Sequence, residues 1–269
     1  MRYITAFFMA WGNFCSIPCP CRRWEQDLKQ LMLVFFPLVG LLIGLLWCGL
    51  FWLACALGLP VPLSAALLTA WPFAASGFIH LDGFMDVSDA VLSRRPLPER
   101  RRILKDPHVG SFAVISVCLL FLFCFAGFWS LLGAMAQDGA AAQDKTLVLL
   151  SLSLIPVVSR CCCADAVLHY KPMETSQYSG LDRENNGRLL LAVRLIQAAA
   201  AALCFGVLLY LGNRPFFGIT GLLAACAGAY VAAAWGRRQL AGMNGDIAGF
   251  ALTVAELTGL LWLTLQVWK

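Results

Sequence analysis

The stretch Leu31-Met32-Leu33-Val34-Phe35-Phe36-Pro37-Leu38-Val39-Gly40-Leu41-Leu42-Ile43-Gly44-Leu45-Leu46-Trp47-Cys48-Gly49-Leu50-Phe51-Trp52-Leu53-Ala54-Cys55-Ala56-Leu57-Gly58-Leu59 contains no charged side chain. A helix in water buries one stripe and exposes the rest, so a run that is apolar all round needs an apolar solvent. Spanning a bilayer takes about 20 such residues. Six further runs follow, at Val61–Ile79, Ser111–Met135, Thr146–Leu168, Leu189–Leu211, Phe216–Trp235 and Ile247–Trp268. The 269-residue chain is 60% hydrophobic and 13% charged, with mean hydropathy +0.76. Soluble domains carry roughly 45–50% apolar and about 25% charged residues. The pattern predicts an all-α fold, a polytopic integral membrane helical bundle of about seven transmembrane helices in one domain over residues 1–269. A tight Gly58–Pro60 turn makes a hairpin of the first two runs.

The early stretch Tyr3–Pro18 is short and broken by Gly12, Asn13 and proline. It reads as a re-entrant or interfacial segment, with a first span as the alternative. No charged n-region precedes an A-x-A-like site, so no cleaved leader is expected. Lys and Arg concentrate in alternate loops: Arg22, Arg23 and Lys29; Arg94 through Lys105; Lys171, Arg183 and Arg188; Arg237 and Arg238. The other loops hold only Lys145, Arg214 and Lys269. The positive-inside rule places the basic loops in the cytoplasm. That asymmetry also accounts for the +5 net charge, and no nucleic-acid partner is expected. The twelve cysteines lack paired CxxC spacing, so they read as small hydrophobes, not zinc ligands.

Chemistry concentrates in His80-Leu81-Asp82-Gly83-Phe84-Met85-Asp86-Val87-Ser88-Asp89. If helical, this segment stacks Asp82, Asp86 and Asp89 on one face, at i, i+4 and i+7. Three like charges at that spacing repel. A divalent cation is the obvious compensator, and oxygen-only ligands favour Mg²⁺, Mn²⁺ or Ca²⁺ over zinc. The alternative is a solvated helix end whose acids pair with the arginines that follow. Those arginines, Arg100, Arg101 and Arg102 with Lys105, serve as a topology signal or bind anionic lipid. Beside a metal-binding carboxylate set, Arg101, Arg102 and Lys105 also suit a phosphate-bearing substrate, with Arg160 counted among them and Asp106 as a further ligand candidate. Asp246 opens the last apolar run, and Glu256 lies about 15 Å further along it. Arg160, Asp165, Arg194 and Glu256 lie in apolar runs, where either ion pairing or ligand binding explains them. The loop Met173–Leu181 is polar and expected to cover a site. Metal carboxylates, arginines and a membrane face together suggest phosphoryl-group transfer. No Walker-type loop is present, so an already activated diphosphate is favoured over ATP.

At these residues the chain resembles the cobalamin synthase family, the adenosylcobinamide-GDP ribazoletransferases. The resemblance rests on Phe35 through Gly44, His80 through Asp89, Lys105-Asp106 with Gly110-Ser111-Phe112, and Gly242 through Asp246 followed by Glu256. It implies a Mg²⁺-dependent enzyme of the bacterial cytoplasmic (inner) membrane with its site facing the cytoplasm. The implied reaction joins adenosylcobinamide-GDP to α-ribazole, or its 5′-phosphate, and releases GMP. By carry-over, Asp82, Asp86 and Asp89 form the metal set and Asp246 contributes to it. His80 or a carboxylate takes the proton, and the residues leave that choice open. Membrane lipid is an implied partner, and a homo-oligomer stays open. The chain departs from the pattern at Ser16 and His108, where arginine is common, and at Ala90, where glycine is usual. A CDP-alcohol phosphotransferase would show Ala-Arg after its Asp-Gly, and here Phe84-Met85-Asp86 follows. An ion-coupled transporter would use Glu256, Arg160 and Asp165, but no paired repeat accompanies them.

Overall fold

The computed structural model describes residues 1–136, 142–174, 176, 178, 183–211 and 215–267. Its helices are α1 (Arg2–Phe14), α2 (Lys29–Ala56), α3 (Val61–Ala75), α4 (Ile79–Leu92), α5 (Leu97–Ile103), α6 (Ser111–Ala136), α7 (Ala142–His169), α8 (Arg183–Leu211), α9 (Pro215–Leu240) and α10 (Gly245–Val267). Five of these, α2, α6, α7, α9 and α10, are long and apolar enough to cross a membrane. The chain is a multi-pass membrane protein. Counting the bent pair α3–α4 as one broken span brings the number among the described residues to six, where about seven were expected. The expected run Leu189–Leu211 lies within α8, many of whose side chains fall outside the described residues.

The second expected span is where the structure departs most from the sequence reading. Its helix stops at Ala75 instead of Ile79, and α4 leaves at 91° to it. At 15 residues, α3 is about 22 Å long. The N-terminal stretch also resolves: α1 has 13 residues, too few to cross, and buries Ala6, Met9, Ala10 and Phe14 on one face against α2. Tyr3 and Ile4 on its other side stay exposed. That is the form of an interfacial helix.

Backbone chemistry fixes the α2–α3 hairpin. Gly58 adopts φ +61°, the left-handed conformation that ends a helix at least cost in glycine. Its N–H bonds Cys55 O at 3.1 Å, and Leu59 N–H bonds Ala54 O at 3.1 Å. Two indoles then tie the helices together, with Trp47 Nε1 donating to Leu68 O at 2.9 Å and Trp71 Nε1 to Ile43 O at 3.1 Å. Each satisfies a buried indole N–H that would otherwise cost free energy in lipid.

The centre of the bundle is α7 and α10. α7 packs on α2, α8, α9 and α10, while α10 packs on α4, α6, α7 and α9. Gly40 and Gly44, spaced i, i+4, let α2 approach α7 until an added Cβ would collide with the Pro156 and Ser153 carbonyls. Small residues at this spacing drive close helix packing in membranes, where hydrophobic burial contributes little. Two ion pairs, one buried and one with a half-exposed arginine, tie helices to this centre. Arg160 reaches Glu256 Oε1 at 2.9 Å, linking α7 to α10, and Arg194 reaches Asp165 Oδ1 at 2.8 Å, linking α8 to α7. Ser159 Oγ donates to Glu256 and Tyr230 Oη to Asp165, at 3.1 and 3.2 Å. Of the two explanations the sequence allowed for these charges, pairing is the one observed.

Overpacking a tight interface costs about 1–3 kcal/mol. Gly44→Val should therefore lower the thermal unfolding midpoint of detergent-purified protein by several degrees. Gly49→Ala should leave it unchanged, since an added Cβ there meets nothing within 4 Å. Equal midpoints for the two variants would refute close α2–α7 packing through Gly44.

Candidate active site

The site begins at the elbow between α3 and α4. Gly77 and Phe78 both take left-handed φ, +62° and +61°. For Phe78 that conformation costs roughly 1–2 kcal/mol. Three backbone bonds hold it: Gly77 N–H to Ala74 O, Phe78 N–H to Phe73 O, and Asp82 N–H to Phe78 O, at 3.0, 2.8 and 2.9 Å. Ser16, at a position where arginine was expected, fastens the N-terminal segment to this elbow. Its hydroxyl donates to Ala74 O at 2.7 Å and its N–H to Ala75 O at 2.8 Å.

From the elbow, α4 runs unbroken from Ile79 to Leu92. Asp82, Asp86 and Asp89 therefore share one helical face, with Asp82 exposed and the other two half-buried. Opposite them, Asn244 caps α10: its Oδ1 accepts the Ile247 N–H at 3.0 Å. Its Nδ2 donates to Asp246 Oδ2 at 2.6 Å, which aims that carboxylate. Glycine brings the two helices together. A Cβ on Gly83 would lie 2.8 Å from Asp246 O and 2.9 Å from its Cα, and one on Gly249 would lie 3.0 Å from His80 O. Phe84 stacks on Phe250 at 5.4 Å beside this contact. Gly110, from the loop before α6, meets the Asp89 carboxylate so closely that no Cβ would fit.

Among the described residues, no Lys, Arg or His forms an ion pair with Asp82, Asp86, Asp89 or Asp246. The neighbouring cations are engaged elsewhere. Arg95 faces Glu99 at 3.9 Å. Arg100 donates to the Gln239 side chain and carbonyl, and Arg101 to the Leu240 and Ala241 carbonyls, both at 3.0 Å. They satisfy the last carbonyls of α9. Pairing of the acids with the arginines that follow them is therefore not what the structure shows. Arg102 and Lys105 are exposed and have no ion-pair partner among the described residues.

Arg160 is placed differently from the expected phosphate ligand. It is fully buried, paired with Glu256, and lies over the Phe36 ring at 5.5 Å. Asp106 stays outside the cluster as well. The N–H and ring of His108 bond it at 3.0 and 2.6 Å, and they hold its carboxyl below the usual carboxylate range. His80 is buried beneath Phe14, stacked at 5.9 Å, and Phe36, tilted at 5.6 Å. Its Nε2 has no hydrogen-bond partner among the described residues.

The donor set suits a hard divalent cation, since it offers carboxylate oxygens without a competing counter-charge. As they stand, no three His, Cys, Asp or Glu side chains among the described residues converge tightly enough to enclose an ion. Asp82 and Asp246 border a cleft with three parts. One of about 470 Å³ is bordered by Phe8, Arg22, Arg23 and Trp24. Another, about 550 Å³, lies between Ser16, Phe78 and Asp82. The third is an inner cavity of about 150 Å³ between His80, Tyr178, Asp82 and Asp246. Asn13 borders all three, and Asp82 borders the last two. The loop expected to cover the site contributes Tyr178, while Thr175, Gln177 and residues 179–181 of it lie outside the described residues. Sequence reasoning treated Arg22 and Arg23 as topology signals only. Their place in the cleft depends on the fold of residues 15–24, which carries no local motif.

A family model described as cobalamin-5-phosphate synthase matches residues 6–264. The chain belongs to this family. Cobalamin-5-phosphate synthase relatives include the adenosylcobinamide-GDP ribazoletransferase of Clostridium perfringens strain SM101, 33% identical over 97% of this chain and 98% of that protein. The proteins of the same name from Clostridium botulinum strain Alaska E43 and Geobacillus kaustophilus are 31% and 30% identical, over 94% and 96% of this chain and 94% and 95% of theirs. No solved structure matches. Family membership makes this chain a membrane transferase of cobalamin biosynthesis.

Gly110→Ala should displace the Asp89 carboxylate and lower transferase turnover at least tenfold, about 1.4 kcal/mol of barrier. Gly133→Ala, where an added Cβ meets nothing within 4 Å, is the matched control. Full turnover in Gly110→Ala would remove Asp89 from the site.

Proposed function

We propose that this chain is an adenosylcobinamide-GDP ribazoletransferase that uses Mg²⁺ at Asp82, Asp86, Asp89 and Asp246. The observation that carries the reading is four carboxylates on α4 and α10 with no ion-pair partner among the described residues, two of which, Asp82 and Asp246, border the cleft. Like charges so placed are unfavourable until a cation joins them. Mg²⁺ bound there would neutralise charge on the diphosphate oxygens of the corrinoid substrate.

The remaining work falls to the chain. The cleft holds the α-ribazole 3′-hydroxyl, or that of its 5′-phosphate, against the phosphorus on the cobinamide side. A new P–O bond forms to the ribazole oxygen, the bridging P–O bond breaks, and GMP leaves with the bridging oxygen. A carboxylate oxygen of the set takes the hydroxyl proton, because His80 is packed beneath two aromatic rings and forms a wall of the cleft. Arg22 and Arg23 border the outer cleft, and with exposed Arg102 and Lys105 they supply the phosphate-binding charge once expected of Arg101 and Arg160. The positive-inside bias puts this face in the cytoplasm, with the chain in the bacterial inner membrane. The exposed face of α1 lies against lipid headgroups.

Purified protein given adenosylcobinamide-GDP, α-ribazole and Mg²⁺ should release GMP, and EDTA should abolish the release. Asp82→Ala, Asp86→Asn and Asp89→Asn should each lower turnover at least a hundredfold, about 2.7 kcal/mol, with helix content unchanged. Folded, Mg²⁺-replete protein that makes no GMP would overturn the function. Near-normal turnover in both asparagine variants would overturn the metal assignment alone.

A further inference from the structure

We infer that the inner cavity bordered by His80 is the pocket for the aromatic base of the ribazole, and that His80 selects that base through its ring Nε2. The inference rests on the transferase reading above and assigns one half of the cleft to one of its two substrates.

Size makes the first division. The inner cavity, about 150 Å³, is far below the 300–1,000 Å³ of ordinary ligand pockets. A corrin macrocycle does not fit there, but a two-ring heterocycle does. The wider parts of the cleft, about 550 and 470 Å³, adjoin this cavity at Asn13. Asp82 borders both the inner cavity and the 550 Å³ part. A nucleoside seated inward and an activated corrinoid seated outward therefore meet at the carboxylates, where the new P–O bond forms.

Chemistry makes the second division. The reaction brings three kinds of flat ring to the cleft: guanine, adenine and dimethylbenzimidazole. The two purines carry several donors and acceptors on their edges, and each would need a partner once buried. Dimethylbenzimidazole presents two methyl groups and, with one nitrogen held by the ribose, a single acceptor nitrogen. The cavity walls match it. Phe14, Leu33, Phe36, Val167 and Leu252 supply apolar surface. Set into those walls is His80, 6% exposed, with Nε2 buried and without a partner among the described residues. Its ring is clamped by Phe14 and Phe36, so it is oriented in advance. A neutral imidazole carries one N–H, and donating it to the free base nitrogen satisfies both groups. Asp82 and Asp246 line the same cavity and would take the ribose end.

The test compares α-ribazole with the α-riboside of 5,6-dimethylindole, which replaces the acceptor nitrogen by C–H at constant shape. A site built around a hydrogen bond rejects the analogue that lacks it, because its own polar group is left unpaired. Wild-type protein should favour α-ribazole at least tenfold in kcat/KM. His80→Phe should bring the ratio near one, and His80→Gln, which keeps a donor, should restore part of it. Independently, Val167→Phe should raise KM for α-ribazole about tenfold or more, with KM for adenosylcobinamide-GDP within twofold. Leu252→Ala should improve use of ribosides with bases bulkier than dimethylbenzimidazole. An unchanged ratio in His80→Phe, or a Val167→Phe effect on the corrinoid KM instead, would overturn the pocket assignment while wild-type GMP release left the transferase reading standing. Wild-type protein that releases no GMP would overturn that reading itself.

Discussion

The backbone contact between α4 and α10 is what the rest of the site depends on. Gly83 lies against Asp246, and Gly249 against the His80 carbonyl, so two helices carrying carboxylates on facing sides approach as closely as main chains allow. Like charges oppose such an approach, and lipid around the bundle offers no hydrophobic drive to enforce it. The force must come from elsewhere in α10. It comes from packing against α9, α7 and α6 and from the Arg160–Glu256 pair that ties α10 to α7. A buried ion pair is weak evidence for stability, but it fixes register: Glu256 sits ten positions after Asp246 on the same helix. Anchoring one anchors the other.

The elbow at Gly77–Phe78 has a complementary role. A continuous helix from Val61 onward would carry Asp82, Asp86 and Asp89 straight along the α3 axis. The 91° turn directs them along α10 instead, where Asp246 waits. Strain at Phe78 is tolerated because the elbow is held from both sides: by α3's own carbonyls and by Ser16 from the N-terminal segment. That gives the Ser16 position, where arginine was expected, a structural part. A serine reaches two backbone carbonyls there, while Arg22 and Arg23 place positive charge in the same cleft from a few residues on.

The legibility of the chain in sequence follows the range of the interactions involved. Apolar runs report on a solvent, so the helices from Leu31, Ser111, Thr146, Phe216 and Ile247 were readable one residue at a time, as was the shared face of Asp82, Asp86 and Asp89. The break after Ala75 was not readable, since Gly77 alone is an ordinary helix glycine and Phe78 gives no sign of a left-handed backbone. Long-range partners were hidden as well. Nothing local says that Arg101 ends on the α9 carbonyls, or that Arg160 turns into the core toward Glu256. Both carry the charge a phosphate would want, and charge alone does not report direction. The glycine pair Gly40 and Gly44 did carry a signal, in its i, i+4 spacing, and the same logic applied to Gly83 beside the acidic run would have pointed to a close helix neighbour.

This division among the cations bears on how the site works. A cleft that handles a diphosphate beside four carboxylates cannot be lined uniformly with arginine, because the acids would pair with it and the cation site would vanish. The structure separates the two kinds of charge. Arg100 and Arg101 are committed to the end of α9, and Arg160 is sealed behind Phe36. The guanidiniums that border the cleft, Arg22 and Arg23, lie in the part that does not include Asp82. On the proposed reading the carboxylates thus keep their negative potential for a cation, and the positive potential falls on an arm of the cleft wide enough for the larger substrate. The third arm combines apolar walls around His80 with the carboxylates of Asp82 and Asp246. Under that reading the carboxylates, the arginine-bordered part of the cleft and the inner cavity would serve three chemical parts of the transferase reaction, the cation, the diphosphate and the aromatic base. That correspondence is a stronger argument for the reading than any single residue in it.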